Sequence, residues 1–233
     1  LDAILNILWR QWSSIGVSGY SNAREDNIVD PEALMLLTLT VARYDQRLYD
    51  EVIDWLNING NFLNISRIFG ILKQYDFQSK AQLSAVAEIL GKKPASALKW
   101  KKLSEAFVNK QEEPLFFLSY DKPMPLPEKT DEVFKKHGYL RPEVKLRNMS
   151  QSFPKDGMPS LLLRLRALFG VNIRCEILCI LGSVDEIHPS LVAKRIGQSS
   201  RSVQNILSEM SYSGIVNVRK CSKEKKYALT DDT

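Results

Sequence analysis

The chain has 233 residues, is 44% hydrophobic and 25% charged, and carries a formal net charge of +5. That is the composition of a soluble globular protein with material for one large or two small domains, and it excludes a disordered or fibrous chain. No apolar run reaches the roughly 18 residues of a membrane span. The longest candidate, "ALMLLTLTVA", is bounded closely by Glu32 and Arg43.

Three cysteines, an odd number, do not read as a disulfide framework, so a reducing, cytoplasmic setting is expected. No basic-then-apolar signal segment opens the chain, and its start at Leu1 leads us to expect a trimmed start. Charge is uneven. Residues 1–115 hold 13 Lys+Arg against 14 Asp+Glu, residues 116–158 hold 8 against 6, and residues 159–233 hold 11 against 7. The positive excess lies in the last segment, as a polyanion-binding region requires.

The first segment reads as successive helices. "LDAILNILWRQW" is amphipathic, with Ile4, Leu5, Leu8 and Trp12 on one side. A polar loop, 16–26, follows. Asp30 and Pro31 form a helix start, and "EALMLLTLTVARY" is apolar nearly all round, the pattern of a buried central helix. Asp45 caps "QRLYDEVIDWLN", whose inward set is Leu48, Val52, Ile53 and Leu56 and which ends at Asn59-Gly60. "NISRIFGILKQY" comes next, then "KAQLSAVAEIL" between Ser79 and Gly91, then "ASALKWKKLSEAF" after Pro94. In the middle, 112–120 has the composition of a short strand. Pro123, Pro125 and Pro127 make an extended, non-helical linker, and "TDEVFKKHGYL" a short helix. No repeat of fixed period occurs.

The last segment has "PSLLLRLRALFG", then a helix capped by Asn172 with Ile173, Ile177, Leu178 and Leu181 facing in. A short helix starts at Pro189, carries apolar Leu191, Val192 and Ile196, and ends at Gly197, which supplies a positive φ. Ser199 caps the next helix, where Val203, Ile206, Leu207 and Met210 make one buried stripe. Two β-prone runs, "IVNVRK" and "KYALT", flank a charged turn.

This order, with Ala193 where two helices cross, Gly197 in the turn, "SSRSVQNIL", "SYSGIV" and "RKCSKEKKY", is similar to that of winged helix-turn-helix proteins. Residues 171–230 resemble bacterial transcription regulators of the broad arsenic-repressor-like and multiple-antibiotic-resistance-like group. The expected fold is mainly α: an N-terminal helical domain (1–115) for dimerisation, sensing or partner contact, a Pro-rich linker region (116–158), and a C-terminal winged-helix domain with a small β-hairpin (159–233). The resemblance implies a transcription regulator that binds double-stranded DNA; because one winged helix reads only one half-site, a homodimer is expected, and no cofactor is expected.

The outward residues suit that task. Ser199, Ser200, Arg201, Gln204, Asn205 and Ser208 are short or hydrogen-bonding, as a helix entering the major groove requires. Arg201 pairs bidentately with guanine, and Gln204 or Asn205 with adenine. Lys194 and Arg195 on the preceding helix, and Arg219, Lys220, Lys223, Lys225 and Lys226 in the wing, suit phosphates or the minor groove. The rival reading is a protein-interaction module, such as an antitoxin or an accessory subunit, whose winged helix docks a protein.

No catalytic or metal site is expected. Phosphate-loop, G-x-S-x-G and H-E-x-x-H patterns are missing. Cys175 and Cys179, four apart on one helix, are read as small core hydrophobes, and Cys221 lies in the wing. His137 is read as part of a solvated helix end and His188 as a cap-region residue. The acidic "DEVID" is read as a surface face with Arg43 and Arg47 as partners. The tryptophans at 9, 12, 55 and 100 are assigned to core or interface.

Overall fold

The structure, a computed structural model, describes residues 1–19, 25–118, 122–221 and 224–230. The tip of the loop 16–26, the end of the expected strand 112–120 and the turn that carries Lys223 lie outside the described residues. The chain is mainly helical, with a small antiparallel two-stranded sheet near its C-terminus. It divides into two compact units, Leu1–Ile65 with Asp76–Ser160, and Ser66–Tyr75 with Leu161–Thr233.

In chain order the helices are α1 (Asp2–Ser14), α2 (Pro31–Val41), α3 (Gln46–Asn59), α4 (Ile65–Gln74), α5 (Lys80–Leu90) and α6 (Ala97–Ser104). Strand β1 (Glu113–Pro114), α7 (Glu132–Lys136) and β2 (Tyr139–Leu140) follow, β1 and β2 pairing in parallel. All of these but α4 build the first unit. Asp30 caps α2 by accepting from the Ala33 N–H, and Asp45 caps α3 by accepting from the Leu48 N–H. Each satisfies one of the orphan donors of a helix start. The core holds Trp12 and Trp55 in an edge-to-face pair, centroids 5.1 Å apart. Their indole N–H groups donate to Thr38 Oγ1 and to the Ile15 carbonyl, both at 2.7 Å, so neither ring leaves a polar atom orphaned. Leu5, Leu8 and Trp12 turn inward or partly inward, but Ile4 is 45% exposed, together with Leu1 and Ile7.

The Pro-rich segment is extended, and it belongs to the first unit. Leu118 N–H donates to the Lys122 carbonyl at 2.7 Å, and Met124 N–H to Phe116 O at 2.9 Å, with Phe117 and Pro123 bridged antiparallel. Beyond it, Arg141 is fully buried over the rings of Tyr49, Phe116 and Phe134 and pairs with Asp50 at 2.5 Å. A buried guanidinium is tolerated here because a carboxylate and three π-faces replace water.

Two surface readings are corrected. Within "DEVID", Glu51 and Asp54 are buried at 3% and 2% exposure. Asp54 accepts the backbone N–H groups of Asn148, Met149 and Ser150 at 2.7–3.0 Å, and Asn148 sits at φ 52°. Burial, with Asp54 and Asp50 close by, pushes the Glu51 carboxyl up despite its pairing with Arg147. Arg43 instead serves Glu113 and the carbonyls of Pro114 and Leu115. Helical periodicity identified one packed face of α3; the segment 141–150 covers a second.

His137 is also buried, at 1% exposure. Nδ1 lies 3.1 Å from the Phe107 carbonyl and Nε2 lies 2.9 Å from Glu88. Burial alone would raise the Glu88 carboxyl, but hydrogen bonds from Lys136 and His137 outweigh it and hold Glu88 below its usual range. A carboxylate depressed in the folded state stabilises fully above its unfolded value, about pH 4.5, and that contribution disappears as pH falls through the folded value. Glu88→Gln is therefore expected to destabilise the first unit at neutral pH and to flatten the acid limb of its stability profile. Tryptophan-monitored urea melts between neutral pH and about pH 3 measure this; an acid limb of unchanged steepness would remove Glu88 from it.

The second unit contains α4, α8 (Leu161–Phe169), α9 (Ile173–Leu181), α10 (Pro189–Ile196), α11 (Ser200–Tyr212), β3 (Val216–Cys221) and β4 (Glu224–Leu229). Its core joins Ile177 and Leu181 of α9 to Val192, Ala193 and Ile196 of α10, Val203, Leu207 and Met210 of α11, and Val216 and Tyr227 of the hairpin. Arg166 of α8 and Glu176 of α9 form an ion pair of 2.7 Å with both side chains almost fully buried. No helix among the described residues is long and apolar enough to cross a membrane.

Candidate nucleic-acid interface

The face begins at the α10–α11 turn. His188 caps α10 through Nδ1, which accepts the Ser190 N–H at 3.2 Å, and Pro189 takes the first helical position. Gly197 closes α10 in the left-handed region at φ 68°, which the next N–H, that of Gln198, exploits by donating to the Ala193 carbonyl at 3.0 Å. Ser199 then caps α11, accepting the Ser202 N–H at 3.1 Å. Ala193 is small and 3% exposed, as the crossing of α10 and α11 requires.

Burial of Val203, Leu207 and Met210, with Ile206 half-buried, turns the other side of α11 outward. Ser199, Ser200, Arg201, Gln204, Asn205 and Ser208 are all exposed, as are Lys194 and Arg195 on α10. Leu191, one of the apolar residues of α10, is 53% exposed. The only acid on α11, Glu209, pairs with Arg174 of α9.

β3 and β4 pair antiparallel, with Arg219 opposite Lys226 and Lys220 opposite Lys225. Arg219 and Lys225 are exposed and Lys226 is half-buried; Lys223 lies outside the described residues. A further element escaped the sequence reading. Ile187 exchanges two backbone hydrogen bonds of 2.9 Å with Tyr227, so the α9–α10 connection pairs with β4. This bridge involves one residue, and a single residue has no period to read. It also brings Glu186 to the hairpin, where it pairs with Lys226 at 2.5 Å and approaches Arg219 at 4.0 Å. The Lys226 hydrogen bond holds the Glu186 carboxyl below its usual range.

Two hairpin cations are therefore partly compensated. Among the described residues, Lys194, Arg195, Arg201 and Lys225 take no carboxylate partner. A polar cleft of about 440 Å³ lies between α11 and β4, lined by His188, Gln204, Asn205, Ser208, Lys225 and Tyr227 among others. Exposed hydrogen-bonding side chains of α11, neighbouring cations and the polar cleft thus lie on one face of the second unit.

Cys175 and Cys179 are both buried, and burial, with Glu176 beside it, pushes the Cys175 thiol up, the opposite of what a thiolate ligand or nucleophile needs. Among the described residues no three His, Cys, Asp or Glu side chains group to hold a metal ion. No protein-family model matches the chain, and no curated protein or solved structure matches it either.

Proposed function

We propose that the second unit is a winged helix-turn-helix domain that binds duplex DNA and that the protein regulates transcription. In this reading α11 enters the major groove and the β3–β4 hairpin is the wing. The observation that carries it is the exposed Ser200, Arg201, Gln204, Asn205 and Ser208 face of α11, flanked by cations that take no carboxylate partner among the described residues. The Ile187–Tyr227 pairing supports it further, because it ties the hairpin to the start of α10 and so holds both at one side of α11. One such reader covers one half-site, so the working form is a homodimer. Regulation in the cytoplasm, without a catalytic step, completes the proposal.

Arg201→Ala tests it. Arg201 is exposed and its planar fork matches the two acceptors of a guanine edge. The substitution is expected to cost about 1–3 kcal/mol on a site selected from genomic fragments and much less on random duplex. Melting temperature is expected to stay within about 0.5 kcal/mol of equivalent stability, since an exposed side chain is lost. Equal weakening on both DNAs would make Arg201 a phosphate contact. A wild-type protein that binds no duplex even at low salt would overturn the reading in favour of protein docking.

A further inference from the structure

Helix α4 lies within the first unit's sequence but packs in the second: Ile65 and Asp76 belong to the first unit, and Ser66–Tyr75 to the second. Its contact there is the α10–α11 turn. Arg67, 4% exposed, donates from Nε to the carbonyl of Ile196 at 3.2 Å. That carbonyl closes α10 and is one of the acceptors a helix end leaves without an intrahelical donor. One turn along α4, the backbone of Gly70 meets the carbonyl of Gly197. A Cβ at Gly70 would sit 1.9 Å from that oxygen, closer than any real contact. From the other side, a Cβ on Gly197 would sit 3.2 Å from Ile71. Two glycines thus let two backbones touch, and the residue they seat is the αL pivot between α10 and α11.

We propose that α4 is a buttress for this turn and that Arg67 and Gly70 are positioning residues for α11; the proposal rests on the reading of α11 as the DNA reader. The leverage is geometric. Ser208 lies about 12 Å along the α11 axis from Ser200, so a tilt of about 5° at the turn displaces it by about 1 Å. Base-edge hydrogen bonds span only about 0.5 Å of useful donor–acceptor range, so such a tilt erases direct readout. Phosphate contacts through long, exposed lysines tolerate it. Loosening the buttress therefore costs sequence preference before it costs electrostatic affinity.

The test uses the full chain with Arg67→Met, Arg67→Lys and Gly70→Ala. It compares binding to a genome-selected duplex and to random duplex across a salt series, and measures amide hydrogen exchange over residues 197–203. Arg67→Met is expected to lower the preference for the selected site by about tenfold or more, the worth of one mismatched base pair. Its salt slope should stay at the wild-type value, and exchange over 197–203 should speed up. Arg67→Lys, which restores a cationic donor, should recover most of both, and Gly70→Ala should show the larger loss. A folded Arg67→Met protein with wild-type preference and wild-type exchange overturns the proposal, whether or not Gly70→Ala folds. If the wild-type protein binds neither duplex, the DNA reading fails. The exchange data then decide the buttress alone, unchanged protection in Arg67→Met overturning it.

Discussion

Replacing Lys194, Arg195 and Lys225 together with alanine is expected to weaken binding to any duplex by roughly 10²–10³-fold at about 0.1 M salt. Each cation that neutralises a phosphate releases condensed counterions and contributes about 0.9 to the slope of log K against log salt. Three contacts then contribute about 2.7 logarithmic units between 1 M and 0.1 M salt. These three residues are chosen because they are exposed and have no carboxylate partner among the described residues. Lys226 and Arg219 are partly compensated by Glu186, so removing them should cost less per charge. The loss should be nearly equal on selected and random DNA, the opposite profile to Arg201→Ala. Gel-shift titrations over a salt series measure both numbers. A triple variant with an undiminished slope would take these cations out of the interface.

Glu176→Ala is expected to destabilise the second unit by about 3–5 kcal/mol, because it removes the carboxylate of a buried ion pair. Arg166 and Glu176 have side-chain exposures of 0% and 3%, and their 2.7 Å contact ties α8 to α9, the helix that supplies Ile177 and Leu181 to the core of the second unit. A domain of this size shifts by about 4–8 °C per kcal/mol, so the thermal transition should fall by more than about 10 °C. The double variant Arg166→Met with Glu176→Leu should be close to wild type or more stable by about 1–4 kcal/mol, since hydrophobic replacement avoids the desolvation cost. All four tryptophans belong to the first unit, so their fluorescence reports that unit, whereas far-UV circular dichroism reports both. A circular-dichroism transition moved by less than about 1 kcal/mol would show that the pair is not the anchor its burial indicates.

What the sequence determined by itself is what residues within one or two helical turns decide. Asp30, Asp45, Asn172 and Ser199 cap the helices they were expected to cap, because a capping side chain reaches only the N–H groups two or three residues on. Gly197 takes the positive φ its position requires, and the buried stripe of α11 follows directly from its 3.6-residue period. The outward face of α11, and with it the candidate site, was legible for the same reason. The tertiary structure alone decided which distant segments cover which faces. Segment 141–150 returns over α3 and buries Glu51 and Asp54; Glu88 and Phe107 enclose His137; Ile187 joins β4 and brings Glu186 to two hairpin cations. Helix α4 leaves its sequence neighbours to seat against Gly197. Periodicity shows which face of a helix is apolar; whether another face is covered, and by which element, is decided by contacts between residues tens of positions apart, and no local pattern records that choice.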